Sequence, residues 1–295
     1  MNSCKKLRDL LEGPELLMAP GVADALNARL VAEANFKAIY MTGSGTTASK
    51  LGMPDIGLLS VSEMVDNASR IADASGLPLI SDADTGYGGP LNVHRTIRMF
   101  EKAGAAGVHI EDQNWPKRCG HLSGKTIIPA REMISKIQAA CDGRVDDNFV
   151  IIARTDALAL EGLNSALDRA EQYAEAGADI IFVESPSTLE EIKAIPKKIR
   201  KPTLYNMAAS GKTPFLKNTE IEKFGFKVVI YPNFAMLAAV PAVRHYLSEL
   251  KNNGTVAHLV NEMASFQDLF NLVGMETVRQ MEEKYSVDQD SRVDF

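Results

Sequence analysis

Cysteine is scarce in this sequence: only Cys4, Cys119 and Cys141 occur in 295 residues. Three thiols in so long a chain do not make a disulfide framework, and a reducing compartment is the expectation. Positive charge is not in excess either. Lysine and arginine number 32 against 38 acidic residues, a net charge of −6. That balance excludes a surface built to track phosphate backbones, so no nucleic-acid partner is expected. No stretch approaches the roughly 18 uninterrupted apolar residues of a membrane span, so no membrane partner is expected. The opening MNSCKKLRDLLEG lacks the apolar core of a secretion signal, and the expected location is cytoplasmic. What remains is ordinary: 45% hydrophobic and 24% charged residues, a soluble globular composition rather than a disordered or collagen-like one.

One local pattern recurs. A helical segment ends in a small or charged residue plus Gly or Asn, and a short apolar run follows at once. It is seen in AEANFKAIYMTG, EKAGAAGVHIED, AEAGADIIFVES and EKFGFKVVIYPN. Gly104, Gly177 and Gly225 suit the left-handed position that closes a helix. The runs are apolar without strict alternation, as expected of strands covered on both faces. Between them lie amphipathic segments such as LNSALDRAEQYAEAG, with Leu163, Leu167, Ala170 and Ala174 on one face. Eight strands are predicted, around 16–20, 38–42, 78–82, 106–111, 149–154, 179–184, 202–206 and 227–231. Eight alternating β and α units predict a (β/α)8 barrel of the TIM type rather than an open sheet. No polar linker divides the chain, so residues 1–295 read as one barrel domain. A helical extension begins at about 255, and its two segments are expected to pack on the barrel or on a neighbouring subunit.

In such a barrel the polar groups at the carboxyl ends of the strands converge on one mouth. Those ends read Thr42-Gly43-Ser44-Gly45, Asp82 and Asp84, Glu111-Asp112, Arg154 with Asp156, Glu184 and Asn206. A single acid there can simply cap a helix. Several acids facing one mouth repel unless a cation compensates them. Asp82, Asp84 and Glu111, with no thiol or imidazole partner, suit a hard ion, Mg2+ or Mn2+, better than Zn2+. Arg154 at a buried strand end needs an anionic partner, either a protein carboxylate or a substrate carboxylate. Metal, arginine and the small-residue amides of Gly43, Ser44 and Gly45 together suit a small acid with more than one carboxylate.

The connection after the fourth strand, QNWPKRCGHLSGKTIIP, is long for a βα loop and reads as a lid. Cys119 lies between Arg118 and Gly120-His121, where positive charge lowers a thiol pKa and makes a proton donor or nucleophile. The plainer alternative is a bystander cysteine in a surface loop. Cys4 and Cys141 read as structural, and His94, His245 and His258 as non-catalytic. Two other patterns fail. Gly43-x-Gly45-x-x-Ala48 imitates a dinucleotide fingerprint, but no acid ends the next strand at the distance a ribose needs. The Gly-Lys-Thr triplets at Gly124 and Gly211 lack the earlier glycine of a phosphate loop, which is Cys119 in one and Asn206 in the other.

The combination SDADTGYG, HIEDQ, PKRCGH, ARTDA, FVES and the SGKTP segment resembles the isocitrate lyase/phosphoenolpyruvate mutase superfamily, specifically its small-chain lyase branch. The likeness runs from Ala19-Pro20-Gly21 to Tyr231-Pro232. The resemblance implies a barrel whose C-terminal helix is exchanged between subunits of a homodimer or homotetramer. It implies Mg2+ on Asp84, with Asp82 and Glu111 acting partly through water. Thr42, Gly43, Ser44 and Arg154 would bind the 2-oxo or 2-hydroxy carboxylate, and Gly120 would contribute. Cys119 would protonate an enolate after C–C cleavage, supported by His121. Glu184 and Asn206 would complete the polar network, Tyr40 matches an active-site tyrosine, and Asp55 matches an acid on a second mobile loop. Tyr40, Glu184 and a metal-held water stay open as the general base.

Phosphoenolpyruvate mutase and phosphonopyruvate hydrolase carry asparagine where this chain has Cys119. The methylisocitrate branch places an arginine shortly after the Tyr-Pro that ends the eighth strand; here the segment is Asn233-Phe234-Ala235-Met236-Leu237. A dicarboxylate of the 2-substituted malate or oxaloacetate type is therefore favoured. The alternatives are a carboxyphosphonoenolpyruvate phosphonomutase, a 2-methylisocitrate lyase in which Arg244 supplies the missing contact, and a non-catalytic barrel that binds metal or carboxylate.

Overall fold

The computed structural model describes residues 2–120, 122–209 and 211–285. Eight parallel strands close into a barrel in chain order. They are β1 (Leu17–Val22), β2 (Ile39–Met41), β3 (Leu79–Asp82) and β4 (Gly107–Glu111). β5 (Val150–Thr155), β6 (Ile180–Val183), β7 (Thr203–Asn206) and β8 (Val228–Tyr231) complete the ring. β1 closes it on β8, with Leu17 level with Val228 and Pro20 with Tyr231. Every predicted strand is present, its ends moved by two residues at most.

The strands lack a polar face because they are buried on both sides, yet a period of two is still written in them. One set of side chains points into the barrel: Leu17, Ala19, Tyr40, Ile80, Val150, Ile152, Ile180, Phe182, Leu204, Val228 and Ile230 form the inner cluster. The alternate set, including Ile39, Met41, Val108, Ile110, Ile151, Ala153, Ile181, Tyr205 and Val229, meets the helices outside. Each fully buried valine, leucine, isoleucine, methionine or phenylalanine among them contributes about 1.5–3 kcal/mol relative to exposure.

The helices start and stop as the sequence indicates. Ser60 and Glu63 cap the helix Val61–Ser75 reciprocally. The helix Leu163–Glu175 buries Ala166, Leu167, Ala170 and Tyr173, while Leu163 and Ala174 pack on the core partly exposed. Gly104, Gly177 and Gly225 take φ of +90°, +115° and +101°, the left-handed stops expected of them.

Two compact units divide the chain, Met1–Met236 and Leu237–Phe295. The first holds the barrel. The second begins within the helix Phe234–Asn253 and continues through a 3-10 turn, Ala257–Glu262, and helices Phe266–Leu272 and Met275–Tyr285. None of the long helix's side chains is buried, and Val240, Val243, Leu247 and Leu250 lie exposed at a spacing of three and four residues.

Candidate active site

The polar residues at the mouth continue the inner apolar layer by one step of the pleat. Ile80 is followed on its face by Asp82, His109 by Glu111, Ile152 by Arg154, Phe182 by Glu184 and Leu204 by Asn206. The strand register alone thus brings three acids, an arginine and an amide to one ring. Tyr40 on β2 and His109 on β4 lie a step deeper, with the Tyr40 hydroxyl 2.7 Å from His109 Nε2 and the rings stacked. Burial, with Asp82 beside it, pushes the Tyr40 phenol well above its ordinary pKa, and burial pushes His109 below its own. Both are therefore neutral near pH 7.

Arg154 is the hub. Its guanidinium reaches Asp156 twice, at 2.9 and 3.1 Å, Glu111 at 3.3 Å and Glu184 at 3.2 Å, and stacks over Phe182 with 5.1 Å to the ring centroid. Asn206 donates to both Glu184 oxygens, at 3.4 and 3.3 Å, and keeps a buried Oδ1 with no partner. On the opposite side, the Gly43 N–H donates to Asp82 Oδ2 at 3.2 Å. Asn233 clips the β2 loop, accepting from Thr42 Oγ1 at 3.0 Å and donating to Ser44 Oγ at 3.1 Å. The segment after β8 therefore supplies a neutral amide to this side of the mouth.

Asp84 has a left-handed backbone (φ +47°), which lets its N–H donate to Asp82 Oδ1 at 2.9 Å while its carbonyl accepts from Glu111 N–H at 2.9 Å. Lys117 enters from the loop after β4. Its ammonium lies 2.7 Å from Asp55 and 2.7 Å from Asp84. Burial, reinforced by Asp82 and Asp55 against the opposing Lys117 charge, raises the Asp84 carboxyl to about 6. Burial also lifts Glu111 well above the carboxylate range.

These groups enclose a cavity of about 50 Å3. Tyr40, Thr42, Ser44, Asp55, Asp82, Glu111, Cys119, Gly120, Arg154, Glu184 and Asn206 all line it, so most residues expected from the sequence are brought together. Gly43 lies behind the wall, and Asp84 meets the cavity through Lys117, which lines it. His121 falls outside the described residues. Sequence reading missed Lys117 and His109. A lysine flanked by charge in a loop reads as solvated, whereas His109 was detectable two residues before Glu111 on the same inward face.

A divalent ion fits this donor set. Among the described residues, Asp55, Asp82, Asp84, Glu111, Asp156 and Glu184 are buried carboxylates facing three buried cations, Lys117, Lys125 and Arg154. Glu111 Oε1 is buried without a hydrogen-bond partner. Excess negative charge and an unsatisfied oxygen are the conditions a hard, oxygen-seeking cation relieves. No three acid, imidazole or thiol groups among the described residues stand ready as direct ligands. Part of the coordination would thus pass through water.

A closed parallel barrel whose strand ends gather an arginine, several acids and a cysteine around one cavity has the architecture of a barrel enzyme. The family model described as phosphoenolpyruvate phosphomutase matches residues 7–251. The chain belongs to that family, within the isocitrate lyase/phosphoenolpyruvate mutase superfamily, and the expected carbon–carbon lyase branch agrees with its relatives. It is 46% identical over 286 residues to a 2,3-dimethylmalate lyase of Eubacterium barkeri, covering 97% of this chain and 99% of that one. A solved oxaloacetate acetylhydrolase, in complex with 3,3-difluorooxalacetate, superposes with a TM-score of 0.93 at 38% identity, covering 98% of each chain. A phosphonopyruvate hydrolase in complex with oxalate and Mg2+ superposes with a TM-score of 0.88 at 32% identity, over 97% of this chain and 99% of that one.

Proposed function

We propose that the protein is a Mg2+-dependent lyase that cleaves the C2–C3 bond of a 2-substituted malate or an oxaloacetate-type dicarboxylate. The observation that carries this reading is Cys119 lining the same cavity as Arg154, Glu111 and Glu184. An acid able to protonate carbon then faces the groups that hold a carboxylate. Arg154 and the β2-loop groups at Thr42, Gly43 and Ser44 bind and orient the 2-oxygen end of the substrate. Asp84, with Asp82 and Glu111 through water, would hold Mg2+ (or Mn2+), which supplies Lewis-acid polarisation when bound. Neutral Tyr40, backed by His109, serves as a hydrogen-bond donor to the substrate oxygen; Glu184 and a water remain the candidate bases for the 2-hydroxyl proton. After cleavage the Cys119 thiol delivers its proton to the enolate carbon. For oxaloacetate, water added at the carbonyl takes the hydroxyl's place.

Substrate size follows from Asn233. Lys117, Arg118 and Arg154 are the lysine and arginine residues among the described lining residues, and Lys117 and Arg154 are engaged by acids. This favours a dicarboxylate over a tricarboxylate. The exposed apolar stripe of the helix Phe234–Asn253 supports exchange of C-terminal helices in a homodimer or homotetramer. Among the described residues no helix is long and apolar enough to cross a membrane.

A panel of 2-substituted malates, oxaloacetate, 2-methylisocitrate and a phosphonate tests the reading. Mg2+-dependent cleavage of a four-carbon-backbone diacid is expected, releasing a 2-oxo acid from a 2-substituted malate or oxalate from oxaloacetate, abolished by EDTA and restored by Mg2+. A new phosphorus–carbon signal in 31P NMR, with no diacid cleaved, would instead identify a phosphonomutase. Mg2+-dependent binding without turnover of any member would identify a non-catalytic barrel.

A further inference from the structure

Lys125 sits in the Gly-Lys-Thr triplet that fails as a phosphate loop, and the lyase chemistry makes no use of it. Its side chain is only 4% exposed. The ammonium donates to the Gly120 carbonyl and, at 2.7 Å, to Asp156 Oδ1. Asp156 is the carboxylate that grips Arg154 with two hydrogen bonds, and its own N–H is fixed on Asp112 Oδ1 at 2.9 Å. Burial would raise Asp156, but Arg154 and Lys125 hold it well below the usual carboxylate range. One ammonium thus links the residue after Cys119 to the group that aims the substrate-binding arginine.

The loop's construction gives this link a mechanical meaning. Its base is pinned: Asn114 N–H donates to Thr126 O at 2.9 Å, Ile128 N–H to Asp112 O at 2.8 Å, and Gln113 pairs with Ile127. Lys125 stands next to that base, whereas Gly120 lies at the tip, pressed so close that an added Cβ would lie 2.5 Å from Arg154 Nη2. Cys119 and Gly120 line the cavity beside Arg154 and Glu184, so the tip lies directly over the groups that would hold a substrate carboxylate. A tip so placed lifts for substrate to enter, and the Lys125–Gly120 bond forms again when it returns.

We propose that Lys125 is a latch, a positioning residue that holds the Cys119–Gly120 turn down by joining it to the Asp156–Arg154 pair. Its kinetic consequence rests on the lyase reading, but its structural consequence does not. The test combines Lys125→Met, with Lys125→Gln should the first not fold, and Lys125→Arg as the conservative rescue. Labelling of Cys119 by iodoacetamide is followed by peptide mass spectrometry with Mg2+ and oxalate present. Loss of the ammonium is expected to speed labelling by about tenfold or more, the worth of one charged hydrogen bond. kcat falls by about 100-fold as the thiol loses its alignment, while oxalate affinity and KM change little. Lys125→Arg restores much of the shielding. Equal shielding of Cys119 in the wild type and the Met or Gln variant overturns the latch, whatever happens to turnover. Faster labelling in a protein that cleaves no diacid keeps the latch and refutes the lyase reading instead.

Discussion

Arg154 is the side chain whose surroundings leave least freedom. A planar guanidinium meets Asp156, Glu111 and Glu184 through all three of its nitrogens and lies over the Phe182 ring. A lysine ammonium cannot reproduce that fork. Arg154→Lys is expected to lower kcat/KM by about 100-fold or more while the barrel's far-UV spectrum is kept. Arg154→Met leaves three buried carboxylates short of charge and is expected to cost about 3–5 kcal/mol in a urea-unfolding measurement. Arg154 was legible in the sequence because the arginine that ends the apolar run FVIIAR must meet an anion wherever that strand is buried. Lys117 and Lys125 were not legible. Their partners Asp55, Asp84 and Asp156 are 62, 33 and 31 positions away in the chain, and only barrel closure makes them neighbours.

At the scale of the elements, the loop after β4 closes on the mouth through a glycine. Gly120 has no side chain at the point where Arg154 Nη2 and the Glu184 carboxyl carbon lie 2.5 and 2.8 Å from a hypothetical Cβ. Gly120→Ala is expected to keep its melting temperature, because the loop is peripheral to the core. Its kcat/KM should fall by about 100-fold, since a displacement of an ångström misplaces the Cys119 thiol. At the barrel's other end, Cys4 on the helix Ser3–Glu12 contacts the Ala105 carbonyl, 3.8 Å away. Burial, and then the Asp146 and Glu101 carboxylates, push its thiol up from 9.0 to about 12. The unfolded chain thus ionises this thiol over a pH range where the folded chain holds its proton. Stability should fall as pH rises from about 9 towards 12. The wild type's alkaline loss in urea midpoint is expected to exceed that of Cys4→Ala, and parallel slopes would show that Cys4 does not couple to folding. The strands were readable as eight apolar runs, but their apolar residues alone do not tell inward from outward, because both faces are apolar. The polar ring reveals the inward register.

For the whole molecule, the barrel explains how residues scattered from Tyr40 to Asn233 come to line one cavity, while the second unit exposes what a lone chain has no reason to expose. Val243 and Leu247 are 54% and 60% exposed on a helix with no buried residue. If the stripe is a subunit contact, as proposed, Val243→Glu with Leu247→Glu gives smaller species than the wild type in sedimentation, with the barrel's spectrum retained; an unchanged mass would show that the stripe joins no subunits. That these segments are helices was legible from their periodicity. Their packing was not, because an apolar stripe does not name its partner.

The chemistry proposed for this mouth depends on a thiol delivering a proton to carbon, and Cys119→Ser examines that step with the smallest change. Cleavage of the best diacid of the panel, assayed with Mg2+ as 2-oxo acid or oxalate released, is expected to fall by at least about 1,000-fold, while calorimetry finds Mg2+ and oxalate binding close to wild type. Turnover of that diacid at a wild-type rate by Cys119→Ser would remove the thiol from the reaction and the lyase mechanism with it.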